Sequence, residues 1–176
     1  TESLTISKSV NLPPIKQICC CASFYVCLSF SKMLLDGFGS YTDYKIEPLK
    51  DVDLIRCGSA FTICKTVNNE VYGWGINDSG QLGLKESFYK QETPRKCEDW
   101  PENIVDIKCG AYHTLVLTEN QEVFSCGSNT YGKLGRQTSD NCSSTLQKIE
   151  GLSRIIRIEC GDYHSFCIDN DFNLYV

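Results

Sequence analysis

Basic residues are in the minority: 17 Lys and Arg face 22 Asp and Glu, for a formal charge of −5 over 176 residues. A surface that holds phosphates by releasing counterions needs clustered Lys and Arg. No such cluster occurs, so nucleic acid and anionic membrane are disfavoured as partners. Proline (5) and glycine (13) are too few for a collagen-like or low-complexity chain. A long hydrophobic run is missing too. The most apolar stretch, Ile18 to Phe30, is 13 residues, well short of the roughly 20 that a membrane helix needs. Glu2, Lys8 and Lys16 precede it without a strongly basic start, and no small-residue cleavage pattern follows, so neither a signal peptide nor membrane insertion is expected. Helical spacing is not sustained for a dozen residues anywhere. Histidine numbers only 2, which confines imidazole chemistry to two positions. At 22% charged and 41% hydrophobic, the composition still predicts a folded chain with one core.

Cysteine is what the chain has in abundance, 12 in all. Cys57, Cys109 and Cys160 each follow Ile and a charged residue, and each precedes Gly. They fall into a pattern, not into pairs. A free Cys behaves as a small hydrophobe, so a Cys recurring where a strand turns inward is read as a buried packing thiol. Reduced thiols place the protein inside the cell, cytoplasmic or nuclear. The run Cys19-Cys20-Cys21 invites S-palmitoylation, but lipidated Cys flank a membrane element that is missing here.

The pattern belongs to a repeat. Cys57 to Gly83 lies on Cys109 to Gly135 without a gap at a shift of 52 residues, and 12 of 27 positions are identical, where chance gives about two. A third copy starts at Cys160, where Ile158-Glu159-Cys160-Gly161-Asp162-Tyr163-His164-Ser165 restates Ile107-Lys108-Cys109-Gly110-Ala111-Tyr112-His113-Thr114. A degenerate copy stands at the front, with Ile18-Cys19-Cys20-Cys21-Ala22 and Tyr25 to Ser29 in the same columns before Gly37-Phe38-Gly39. The chain divides into an extension (1–14), a degenerate first repeat (15–52), a second repeat (53–104), a third (105–155) and a truncated fourth (156–176). Within a unit three short runs have strand character: Val105, Ile107 and Cys109 alternate with charged residues, then come Leu115 and Leu117, then Val123 and Phe124. Asn68-Asn69 and Asn120-Gln121 suit the positive φ of a tight hairpin between the second and third runs. The stretches Leu84 to Asn103 and Arg136 to Ser153, polar and holding Pro94, Pro101 and Gly151, read as variable loops. Short antiparallel sheets at this period predict an all-β fold of propeller blades, because neighbouring sheets bury the faces that one sheet alone leaves open.

The string Trp74-Gly75-x-Asn77-x-x-Gly80-Gln81-Leu82-Gly83, with Cys57-Gly58 before it, resembles the repeat of the regulator of chromosome condensation family. Gly127, Asn129, Gly132, Leu134 and Gly135 restate the string, with Cys126 in place of Trp and Lys133 in place of Gln. Cys109-Gly110 with His113, and Cys160-Gly161 with His164, complete the signature. The resemblance runs from about Ile15 to Val176 and implies a seven-bladed β-propeller, which at this period needs about 360 residues. The chain is therefore expected to be a portion of a longer protein, an incomplete ring of three to four repeats.

Several constellations invite chemistry. Cys109-x-x-x-His113 and Cys160-x-x-x-His164 have zinc-ligand composition, but both occupy one repeat column and so fall a blade apart; no metal and no cofactor are expected. The glycines from Gly75 to Gly83 are not followed by a helix, so they supply turns and not a phosphate site. Ser165 adjoins His164, which on a strand turns the two side chains apart, and the column cysteines are expected to be buried; no catalytic residue is assigned. Asn77-Asp78-Ser79 and Asn141-Cys142-Ser143 match the glycosylation pattern, idle inside the cell. Phe88, Tyr89, Lys90, Arg95 and Trp100 crowd one connection, and aromatics with Arg are what interface centres use; they form a candidate partner-binding loop, unless Trp100 merely caps its blade. The expected function is a protein-interaction module. The alternative implied by the resemblance is guanine-nucleotide exchange on a small GTPase of the Ran type.

Overall fold

The computed structural model describes residues 13–20, 25–31, 34–36 and 49–176; residues 1–12, Cys21, Ala22 and Gly37-Phe38-Gly39 lie outside the described residues. The first sheet holds β1 (Ile15–Cys20), β2 (Tyr25–Ser29) and β3 (Leu34–Asp36). The second is β4 (Val52–Cys57), β5 (Phe61–Thr66), β6 (Val71–Asn77) and β7 (Phe88–Lys96). The third is β8 (Ile104–Cys109), β9 (His113–Thr118), β10 (Val123–Ser128) and β11 (Cys142–Lys148). The fourth holds β12 (Ile155–Cys160), β13 (Ser165–Asp169) and β14 (Leu174–Tyr175). Each sheet is an antiparallel meander in chain order. The sole helical element among the described residues is a 3₁₀ turn at Thr130–Gly132.

The first strands of successive sheets lie side by side, β1 against β4, β4 against β8 and β8 against β12. They form the inner edge of the blades. The second strand of the third sheet is covered on both faces: every residue of His113–Thr118 is buried. Three apolar clusters fill the structure, and the largest runs between the second and third sheets, with Phe61, Leu82, Ile107 and Val116 fully buried. Each inner strand carries a register shift at the same column, leaving Lys16, Asp53, Val105 and Ile156 as the extra residue. A bulge turns its residue out of the ladder, and Val105 and Ile156 accordingly stay 55% and 46% exposed.

The hairpins form where the sequence places them. Asn69 and Gln121 have φ of 63° and 62°, and their amides close turns on Thr66 O and Thr118 O at 3.0 and 2.9 Å. The stretches read as variable loops need correction. Each contains the fourth strand of its blade, β7 or β11. An outer strand has one neighbour and a solvated face, so it lacks the apolar alternation that marks the others. Pro94 fits because it sits where the β6–β7 register slips, on an edge that requires no further donor.

The Asn-x-x-Gly-x-Leu-Gly segment is a wedge between blades. Asn77 is fully buried; its Nδ2 donates to Glu86 O at 2.8 Å, and its Oδ1 accepts from Leu82 N at 3.0 Å. Asn129 repeats this with Arg136 O and Leu134 N, both at 3.0 Å. The loop so folded carries Leu82 into the core, and its Gln81 O accepts Thr114 Oγ1 of the next blade at 2.8 Å. Lys133 O accepts Ser165 Oγ in the same way at 2.7 Å. Asn77→Ala leaves the amide of buried Leu82 and the carbonyl of Glu86 without their partner. The expected cost is about 2–4 kcal/mol, read as a fall of roughly 4–16 °C in a thermal melt for a domain of this size.

Candidate interaction surface

The turn between the first and second strands joins neighbouring blades. Gly58 N, Gly110 N and Gly161 N donate to Phe61 O, His113 O and His164 O at 2.9, 2.9 and 3.0 Å. Across the joints, Ser59 N donates to Ala111 O at 3.4 Å and Ala111 N to Asp162 O at 3.0 Å. The glycines are required by proximity. A Cβ on Gly58 would stand 2.5 Å from Gly110 O, and one on Gly110 would stand 2.7 Å from Gly161 O.

The column cysteines are half-buried, less than expected from the sequence. Burial nonetheless pushes the Cys109 thiol well up and the Cys160 thiol up to about 12. Cys126, in the place of Trp74, is fully buried and also pushed up to about 12 by burial. Thiols held this high carry little thiolate at neutral pH, which makes these three slow nucleophiles.

The two histidines of like sequence have different surroundings. His113 is fully buried and its Nε2 lies 2.9 Å from Ser165 Oγ of the next blade. Ser165 already donates to Lys133 O, so His113 is the donor and the hydroxyl proton does not pass to it. That polarity is the reverse of a base activating a nucleophile. Its Nδ1, turned onto Gly110, has no partner. Burial, with smaller contributions from Lys133 and His164, holds its pKa down to about 4. His164 is exposed, its ring centroid 4.9 Å from that of Phe166 in an edge-on arrangement. Among the described residues no group of three His, Cys, Asp or Glu converges as a metal site.

Of the glycines suspected of holding phosphate, Gly80 and Gly83 have φ of 78° and 63° in turns, as expected, whereas Gly75, with φ of 105°, lies within β6 where a Cβ would stand 2.5 Å from Ala60 O. Asn77 is too buried and too engaged to be a glycan acceptor.

Phe88, Tyr89, Lys90, Arg95 and Trp100 do not share one loop: the first four lie on β7, the outer edge of the second blade. Phe88 and Trp100 pack against the core between blades, and the Trp100 ring closes on Gly83. Trp100 thus caps its blade. Lys90 is half-buried opposite Ile76. Arg95 lies over the Phe88 ring at 6.0 Å and pairs with Glu86 at 2.7 Å. Only Tyr89, 75% exposed, offers a large free aromatic face.

Three tyrosines were missed by sequence reasoning. Tyr112, Tyr131 and Tyr163 are 39%, 87% and 55% exposed. In an antiparallel meander the turns after the first and third strands fall at one end of the sheet. Tyr112 and Tyr163 occupy the former, Tyr131 the latter, and Tyr89 lies just inside the latter end of β7. The four therefore rim one end of the blades. Ser128 N bonds to Tyr112 O at 2.8 Å, which brings the Tyr131 turn beside Tyr112. Strand alternation gave no signal for them: Tyr112, Tyr131 and Tyr163 lie in turns, and the strand after Tyr112 is buried at every position.

Repeated antiparallel meanders, set with their first strands side by side and wedged apart by loops, define a β-propeller segment; among the described residues the ring is incomplete. The regulator of chromosome condensation (RCC1) repeat matches residues 68–117 and 120–168, and a second form of that repeat matches 52–81 and 104–133. The chain belongs to the RCC1 repeat family. It is 32% identical over 120 residues to the probable E3 ubiquitin-protein ligase HERC6 of Homo sapiens, covering 66% of this chain and 12% of that protein. It is 28% identical over 152 residues to the human RCC1-like G exchanging factor-like protein, covering 75% of this chain and 33% of the other. The fold matches yeast RCC1 (Prp20), solved with Kap60 bound, at a TM-score of 0.82 and 18% identity, over 96% of this chain and 44% of that one. The chain thus spans less than half the length of each.

Proposed function

We propose that the chain is a protein-interaction module of the cytoplasm or nucleus, binding a protein partner through the exposed tyrosines at one end of its blades. The rim of Tyr89, Tyr112, Tyr131 and Tyr163 carries this reading. Tyrosine supplies large contact area at low entropic cost and is enriched at interface centres. The polar groups beneath the rim are engaged in joining blades, so the scaffold holds its surface still. Relatives support a binding role: the segment matched by this chain makes up 12% of a protein named a probable ubiquitin ligase and 33% of one named an exchange factor-like protein. A segment common to different activities is more simply a binding platform than a shared catalyst.

Guanine-nucleotide exchange is the competing class, and the test separates them. In a fluorescent-GDP release assay with a Ran-like GTPase, catalytic amounts of the full-length protein are expected to leave the release rate unchanged; acceleration overturns the binding-only reading. For the surface, the triple change of Tyr112, Tyr131 and Tyr163 to Ala is expected to weaken capture of partner protein at least about tenfold, at roughly 1–2 kcal/mol per hot-spot tyrosine. An unchanged melting temperature for this variant keeps the readout on the surface. Undiminished capture by it places the interface elsewhere.

A further inference from the structure

At one blade joint a thiol stands in the column that a charged side chain fills at the others. In the second and third blades the residue before the column cysteine crosses to the next inner strand. Arg56 Nε donates to Ile107 O and Arg56 Nη2 to Asp106 Oδ1, both at 2.8 Å, and Lys108 Nζ meets Glu159 Oε2 at 3.0 Å. In the first blade Ile18 pairs with Cys27 as Ile55 pairs with Cys64, so Cys19 stands in the column of Arg56 and Lys108. Its shorter side chain stands on the strand next to β4, and the Cys57 thiol is the neighbour that acts on it most strongly. Both pack, half-buried, against the cluster of Val26, Leu28, Val52, Ile55, Cys64 and Trp74. The two strands are held in place by Gln17, whose Nε2 donates to Ile55 O at 2.9 Å, and by Lys16 paired with Asp53 at 3.3 Å.

We propose that Cys19 and Cys57 form an oxidisable pair, a modification site at which hydrogen peroxide closes a disulfide that ties the first blade to the second. One thiol attacks the peroxide; its sulfur is oxidised to a sulfenic acid while the O–O bond is reduced and one water leaves. The other thiol displaces the sulfenic hydroxyl as a second water, and the S–S bond forms. For hydrogen peroxide the sum is two thiols and one peroxide giving one disulfide and two waters. The neighbouring Cys57 thiol, and then burial, push the Cys19 thiol well up. The closure is therefore slow at neutral pH and faster in mild alkali. Cys20, exposed beside Cys19, is not in the crossing column.

The test treats the chain with hydrogen peroxide, blocks remaining thiols with an alkylating agent, and sequences cross-linked peptides by tandem mass spectrometry. The expected result is a Cys19–Cys57 link, a loss of two of the 12 thiols, and a raised unfolding midpoint that dithiothreitol returns to its starting value. Cys20→Ser is expected to retain the link and Cys19→Ser to lose it. Alkylation of both Cys19 and Cys57 in wild-type protein after Cys20 has been oxidised overturns the proposal. So does a link from Cys57 to Cys20. Because the wild-type mapping decides the matter, the outcome does not depend on how well either variant folds.

Discussion

Gly110→Ala is expected to lower stability by about 4 kcal/mol, near the upper end for a single substitution. The new methyl would stand 2.0 Å from the His113 ring and 2.7 Å from Gly161 O of the next blade. The ring is fully buried against Ser165, and the carbonyl is main chain, so neither yields without opening the joint between the third and fourth blades. Gly132→Ala is the control. Gly132 has φ of 75° but no atom within 4 Å of its would-be Cβ, so only the left-handed conformation counts, at about 1–2 kcal/mol. Thermal melts should rank the two clearly, with Gly110→Ala falling by roughly 8–16 °C and Gly132→Ala by roughly 2–8 °C at the sensitivity of a domain this size. Equal shifts would mean that the blades do not approach each other at Gly110.

Acid should loosen the same joint through His113. Its pKa is about 4 in the folded protein, against 6.5 as the ordinary value. The folded state disfavours the imidazolium, so the stability linked to this group is complete above pH 6.5 and is lost as pH falls toward 4. Fully realised, a shift of this size corresponds to about 3 kcal/mol. The carboxylates that the fold favours titrate lower: the hydrogen bond to Lys96 holds Glu70 below 4.5, and those to Asn173 and its neighbours hold Asp169 near 2. Denaturant unfolding between pH 6.5 and 4.5 therefore isolates the histidine. His113→Phe is expected to flatten stability across that interval, because the same column in the second blade already holds a buried Phe61. A variant as acid-sensitive as the wild type would place the titrating group elsewhere.

The inner strands, second strands and hairpins were legible because each carries a local signature, whether apolar alternation or a residue tolerant of positive φ. β7 and β11 were not. An edge strand needs only one hydrogen-bonded neighbour, so Phe88–Lys96 is free to be polar and to contain Pro94. The candidate loop misled for the same reason: sequence proximity grouped Phe88 and Trp100 with Tyr89, whereas packing draws the first two inward. The crossing of Cys19 to Cys57 had no local signal. Only the sheet register places Cys19 in the column of Arg56.

His113 and His164 show where the division falls. Sequence alone set the period, the strand character and the glycine at each joint, since these depend on backbone geometry within one unit. It also gave both histidines the same local setting, Cys-Gly-x-Tyr-His. Tertiary structure decides what meets them: the fourth sheet covers His113, takes its hydrogen bond and keeps it neutral. Protonation, exposure and partner are properties of what lies across the joint, and a repeat cannot specify from within itself what its neighbour will supply.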